Sequence, residues 1–261
     1  MIAKQYWHVA KELFITDWKV FKQLLKDKMI DQSIWVACSI FVNVYLLPKM
    51  GMSSAFGMIS FAGMLASAGI FEGYMSIVTL VGDLKSDKII YYYATLPLPA
   101  WLMMARFMVS HASLYALLSI MYLPLGKLLM INTFDLGMVN WPQLVLITLL
   151  ASLFYGAFSL MTASFVQSFE HLGSVWARFI FPLWFLGGFV FSWQMLYQTA
   201  PLFAYLNLLN PIMYISESYR VALMGQAGYL NFWFCSGMII FLSVASALTG
   251  IRRLKKRCDF I

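Results

Sequence analysis

The chain has 261 residues, of which 62% are hydrophobic and only 11% charged, with a formal net charge of +7. So large an apolar fraction excludes a water-soluble core-and-shell domain, and a basic balance facing anionic lipid needs no nucleic acid as partner. The apolar runs are long and continuous rather than alternating over about ten residues, so an all-α polytopic membrane protein is predicted in place of a barrel.

Residues 4–28, KQYWHVAKELFITDWKVFKQLLKDK, set Trp7, Ala10, Phe14, Trp18, Phe21 and Leu25 on one side of a helix. Lys4, His8, Lys11, Glu12, Lys19, Lys22 and Lys26 fall on the other. This pattern predicts an amphipathic helix over residues 1–29, lying in the cytoplasmic interface with its tryptophans at the acyl boundary. Charges continue through Asp31 before any apolar run, which is not the order of a cleaved secretory signal. Six stretches can then each cross roughly 30 Å of hydrocarbon, at about 30–48, 55–81, 101–125, 143–166, 176–197 and 230–251. They make a transmembrane domain over 30–251, followed by a basic tail, 252–261.

The second span carries Gly51, Gly57, Gly63, Gly69 and Gly73, and its GIFEG is a GxxxG that allows close helix approach. Within it lies Glu72, which marks either a pathway or a buried partner, or sits near the membrane edge of an over-long helix. The segment 82–99, GDLKSDKIIYYYATLPLP, suits a short helix along the membrane that presents Asp83, Lys85, Asp87 and Lys88 to the cytosol. Its Tyr91, Tyr92 and Tyr93 fit the interface. Between the last two spans, residues 198–228 hold two stretches too short to cross. Asn210 reads as an N-cap, Pro211 as the first helical residue and Gly225 as the end, so a capped helix is predicted over 211–224, with Glu217 and Arg220 three apart on one face. Two short helices dipping in partway would account for this pattern.

Charge orients the chain. Of the 18 Lys and Arg, six lie in the first 28 residues and five in Arg252–Arg257, which predicts both termini cytoplasmic. With six spans only Lys49, Lys127 and Arg220 fall outside. Chemistry is sparse: there is no GxxxxGK[ST], HExxH or GxSxG, and Leu125-Gly126-Lys127-Leu128 lacks both the upstream glycine and the hydroxyl residue. His8, His111 and His171 are scattered, and Cys38, Cys235 and Cys258 show no paired spacing, so no metal, cofactor or catalytic site is expected.

The sequence FPLWFLGGFVFSW followed by LNPIMYISESYRVALMG, placed before the last span, resembles the signature of type-2 ABC exporter permeases. The amphipathic N-terminal helix, the six spans and the segment GDLKSDKIIYYYATLPLPAWLMMARF extend that resemblance over essentially the whole chain. It implies a bacterial inner-membrane permease that forms a homodimer and docks separate ABC ATP-binding subunits, which would hold ATP and Mg. Asp83, Lys85, Asp87, Lys88, Ile89 and Thr95 would then couple to the ATPase, with Arg106 near the docking surface. Asn210, Pro211, Tyr214, Glu217, Arg220 and Gly225 would form an outer re-entrant hairpin and gate. Glu72, Phe181, Trp184, Phe185 and Phe189 are candidate pathway residues, for a lipid-linked glycan or a drug-like amphiphile. The coupling segment lacks the Glu-rich opening of many members. The alternative is an ion-coupled secondary transporter using Glu72, with Arg106 and His111 as a relay, although no inverted repeat is visible.

Overall fold

The computed structural model describes residues 2–53, 55–87, 98–131 and 133–258, and every regular element among them is helical. Helix α1 (Ile2–Ile40) continues through a π turn (Phe41–Leu46) into Leu47–Lys49. Next, α2 (Ala55–Gly82) is prolonged by the π turn Asp83–Asp87, and α3 (Ala100–Leu129) and α4 (Trp141–Phe165) follow. Helix α5 is built from three abutting pieces, Glu170–Val175, Trp176–Ile180 and Phe181–Leu186. Three shorter helices, α6 (Trp193–Thr199), α7 (Pro201–Asn207) and α8 (Pro211–Met224), lead to α9 (Phe232–Cys258).

Two sequence expectations are corrected. The interfacial helix over 1–29 and the span starting at 30 are one uninterrupted helix, because no Gly or Pro breaks the chain between Ile2 and Leu47. Its apolar side lies along α3, where Ala10 and Phe14 share a groove with Leu102, Ala105 and Val109, and the Phe21 ring meets His111 at 5.3 Å. Asp17 pairs with Arg106 at 3.4 Å and accepts from Ser110 Oγ at 2.7 Å. The second correction concerns the span at 176–197. It is helical only to Leu186, breaks at Gly187 and Gly188, and restarts as α6. Among the described residues, five helices rather than six are therefore long and apolar enough to cross a membrane. The pieces of α5, 6, 5 and 6 residues long, rise roughly 25 Å in all, short of a hydrocarbon core of about 30 Å.

Helix α2 is the hub of the bundle: 72% of its apolar window is buried, against 17% for α1 and 28% for α9. Small residues make this possible, since attraction between helices in lipid comes from close packing and hydrogen bonds. Gly69 packs on the Tyr155 ring, and Ser159 Oγ donates to the Gly73 carbonyl at 3.1 Å. An added Cβ at Gly63 would overlap the Phe189 carbonyl.

These contacts also set relative heights. Gly250 of α9 abuts Met161 of α4, and the Arg253 guanidinium lies 3.9 Å from the Phe165 ring centre. Gly250 is level with Met161, two residues past Ser159, so Arg252, where α9 turns from apolar to RRLKKR, stands roughly 5 Å further toward the termini than Glu72 and Ser159. Helix α5 runs antiparallel to α2: Tyr74 meets Trp176 at 4.8 Å, and Trp184 Nε1 donates to Ser67 Oγ at 2.9 Å. Its last residues stand only roughly 12 Å beyond the Glu72 level, towards the end away from the termini. Helices α6 to α8 fill the column above. Helix α8 starts beside Leu183 and climbs until the Ala222 carbonyl accepts from Asn140 N, at the start of α4, at 2.8 Å.

Candidate functional site

A helix that stops inside the apolar slab leaves its last carbonyls without partners, and each such carbonyl in hydrocarbon costs several kcal/mol. The sequence supplies donors from further along the chain. Asn210 Nδ2 donates to Leu183 O at 2.8 Å, Asn207 Nδ2 to Leu186 O at 2.8 Å, and Ser216 Oγ to Gly187 O at 2.7 Å. Arg220 Nη2 donates to Gly188 O and, at 3.4 Å, to Ile59 O of α2. Gly188 takes φ +79°, a left-handed conformation that aims its carbonyl at the guanidinium and that a side chain would strain.

Glu217 completes the knot. Both it and Arg220 are fully buried, and Arg220 Nη1 donates to Glu217 Oε1 at 2.8 Å. The same Oε1 accepts from Trp193 N at 3.0 Å, and Oε2 from Leu230 N at 3.0 Å. The carboxylate thus satisfies the first backbone donor of α6 and one just before α9 while neutralising the arginine. Asn210 does double service, because its Oδ1 caps α8 through Ile212 N at 3.0 Å. Pro211 opens that helix, Gly225 at φ +91° closes it, and Tyr214 donates to Leu208 O at 2.7 Å. Of the six residues singled out here by sequence, Asn210 and Arg220 donate to the end of α5 and Glu217 holds Arg220, whereas Pro211 and Tyr214 lie in the first turn of α8 and Gly225 closes that helix at its far end. Asn207, Ser216 and Gly188 belong with them and were missed. An Asn pair in LNLLN was the available signal, since an amide in an apolar run must find a partner.

A second polar group lies between α1, α2 and α3. Glu72, 6% exposed, forms an ion pair with Lys28, and Gln32 Nε2 reaches its other oxygen at 3.5 Å. Tyr122 donates to Gln32 Oε1. One turn along α2, Ser76 Oγ lies 2.6 Å from Tyr115 Oη and 3.0 Å from His111 Nδ1. Glu72 is thus a buried carboxylate compensated by Lys28, a partner that was missed because Lys28 was counted only among the cytoplasmic charges of the first 28 residues.

The aromatic residues divide. Trp184 and Phe189 pack with Trp35 and Phe71, Trp184 lying 5.3 Å from Phe71 and 5.1 Å from Phe189. Phe181 and Phe185 stack at 5.9 Å on the exposed side of α5. A separate groove of 320 Å³ between α5 and α7 is lined by Arg178, Phe179, Leu186, Phe203 and Leu206. At the other end of the bundle, Asp83 and Lys85 lie on the π turn that prolongs α2, with Lys85 exposed and Leu84 buried between them. Asp87 closes that turn, whereas Lys88, Ile89 and Thr95 lie outside the described residues.

Residues 4–224, from α1 to the last residue of α8, match the profile of the family described as ABC-2 type transporter. No curated protein matches the chain.

Proposed function

Because the chain belongs to the ABC-2 type transporter family, whose members are multi-pass membrane permeases, we propose that it is the permease subunit of an ATP-driven exporter. Two copies pair, and separate ATP-binding subunits carrying ATP and Mg dock at the end of the bundle that holds both termini, the cytoplasmic face. An amphiphile, a lipid-linked glycan or a drug-like molecule, then leaves the cytoplasm. The observation that carries this reading is the half-length α5, whose last carbonyls accept from Asn207, Asn210, Ser216 and Arg220; on this reading α6 to α8 are the re-entrant hairpin on the outer side.

Helix α2 supplies the link between the two ends. It leads at one end into Asp83–Asp87, the start of the coupling segment, and at the other meets the hairpin through Ile59 O and Gly63. A helix transmits displacement along its axis with little compression. Motion imposed on the coupling segment by nucleotide binding thus reaches Arg220 directly. Glu217 ties α6, α8 and the approach to α9 into one unit, so the hairpin moves as a body. The aromatic side of α5, Phe181 and Phe185 with Trp184 and Phe189 behind, is the surface along which an amphiphile would pass. The ion-coupled alternative gains no support from a Glu72 already neutralised by Lys28.

The test is a mild-detergent pull-down of the tagged chain from its native membrane. A P-loop ATPase in stoichiometric amount, and transport lost when that ATPase is disabled, is the expected outcome. A homo-oligomer with no ATPase and transport driven by a pH gradient alone would refute the reading.

A further inference from the structure

Along the side of α1 away from the hub runs a groove of 600 Å³, in which Leu25, Met29, Ile30 and Ile34 face Met121 of α3. The remaining polar side chain within it is spent internally, since Ser33 Oγ donates to Met29 O at 2.7 Å. Lys22 and Lys26, both exposed and one helical turn apart, stand at one end. Asp27 and Asp31 do not line it.

Height makes this arrangement specific. Lys28 is level with Glu72, roughly 5 Å from the point where α9 becomes basic, so Lys22 lies just on the termini side of the apolar boundary and Lys26 reaches it along its own stem. Met29 to Ile34 rise into the slab. From Lys22 to Ile34 the helix climbs roughly 18 Å, close to the depth of one leaflet's hydrocarbon plus the phosphate layer. Two cations at phosphate height above an apolar slot at acyl height match a single lipid molecule in both charge and length.

We infer that this groove binds one anionic phospholipid from the leaflet on the side of the chain termini, its phosphate held by Lys22 and Lys26 and one acyl chain lying between α1 and Met121. Such a lipid fastens the least buried helix of the bundle to α3, beside the Lys28–Glu72 pair and the Gln32–Tyr122 contact. The site stands independently of what the protein carries.

The experiment is native mass spectrometry of the full chain in non-ionic detergent, titrated with phosphatidylglycerol or phosphatidylcholine of identical acyl composition, and separately with glycerol phosphate. Two lysines at the surface favour the anionic lipid by about thirtyfold. That preference should vanish in K22Q/K26Q, persist in K19Q, which removes an exposed lysine outside the groove, and be matched by weaker binding of both lipids to S33F, which fills the slot. Glycerol phosphate alone should not compete. Equal binding of the two lipids to the wild type would overturn the inference, as would equal losses in K19Q and K22Q/K26Q, unaltered binding to S33F, or displacement by glycerol phosphate.

Discussion

Replacing Arg220 by Gln tests whether the knot at the end of α5 holds the fold. The change removes the 2.8 Å bond to Glu217 and the donors to Gly188 O and Ile59 O, and leaves a fully buried carboxylate without a cation. Removing one partner of a buried pair costs about 3–5 kcal/mol, which for a chain of this size is a loss of roughly 10 °C in Tm. Glu217→Gln should cost a similar amount. Arg220 is stranded, and a neutral amide can accept from Trp193 N or Leu230 N only by turning its NH₂ towards the other. With both residues replaced no uncompensated charge remains, so the double variant should lose about as much as the worse single one. Thermal unfolding of the detergent-purified chain measures all three. Losses that add to within about 0.5 kcal/mol would show that the two side chains act independently, and the reasoning would fail.

Gly63→Ala should destabilise by about 1–3 kcal/mol, because the new methyl meets the Phe189 backbone rather than a side chain able to rotate away; Gly237→Ala, with open space around it, is the neutral control in the same melt. Asn210→Ala should cost about 2 kcal/mol in that assay, through loss of the α8 cap and of the donor to Leu183 O together; a change below about 0.5 kcal/mol would show that water or another donor replaces it. On the proposed coupling role, Ile89→Pro should abolish co-purification of the ATPase while the amount of inserted protein stays unchanged, as measured by pull-down and membrane fractionation.

Helix α8 was legible in the sequence because its signals are local. Asn210, Pro211 and Gly225 each act within a turn of the helix end, and the structure places its bounds at Pro211 and Met224. The break after Leu186 was not, since hydropathy measures only the affinity of side chains for lipid, and FLGGFVF is apolar throughout. What permits the break is hydrogen bonding by residues twenty to thirty positions further on, a tertiary fact without local trace. The pairing of the first helix with its neighbours was hidden for a related reason. Lys28 and Asp17 look like boundary charges along the chain, yet each is compensated across helices, by Glu72 and Arg106. The absence of any Gly or Pro from Ile2 to Leu47 was the better guide to helix length.

A column that is helix in one half and folded insert in the other can be opened without breaking any membrane-crossing helix. Withdrawing the insert bares the carbonyls of Leu183, Leu186, Gly187 and Gly188 to hydrocarbon. At about 1–3 kcal/mol for each of these four unsatisfied groups, the total is about 4–12 kcal/mol. Thermal motion alone would then leave at most about one molecule in a thousand open at any moment. On the proposed reading, a cell can keep many idle copies in its membrane without dissipating its ion gradients, and the seal is the ordinary cohesion of the fold.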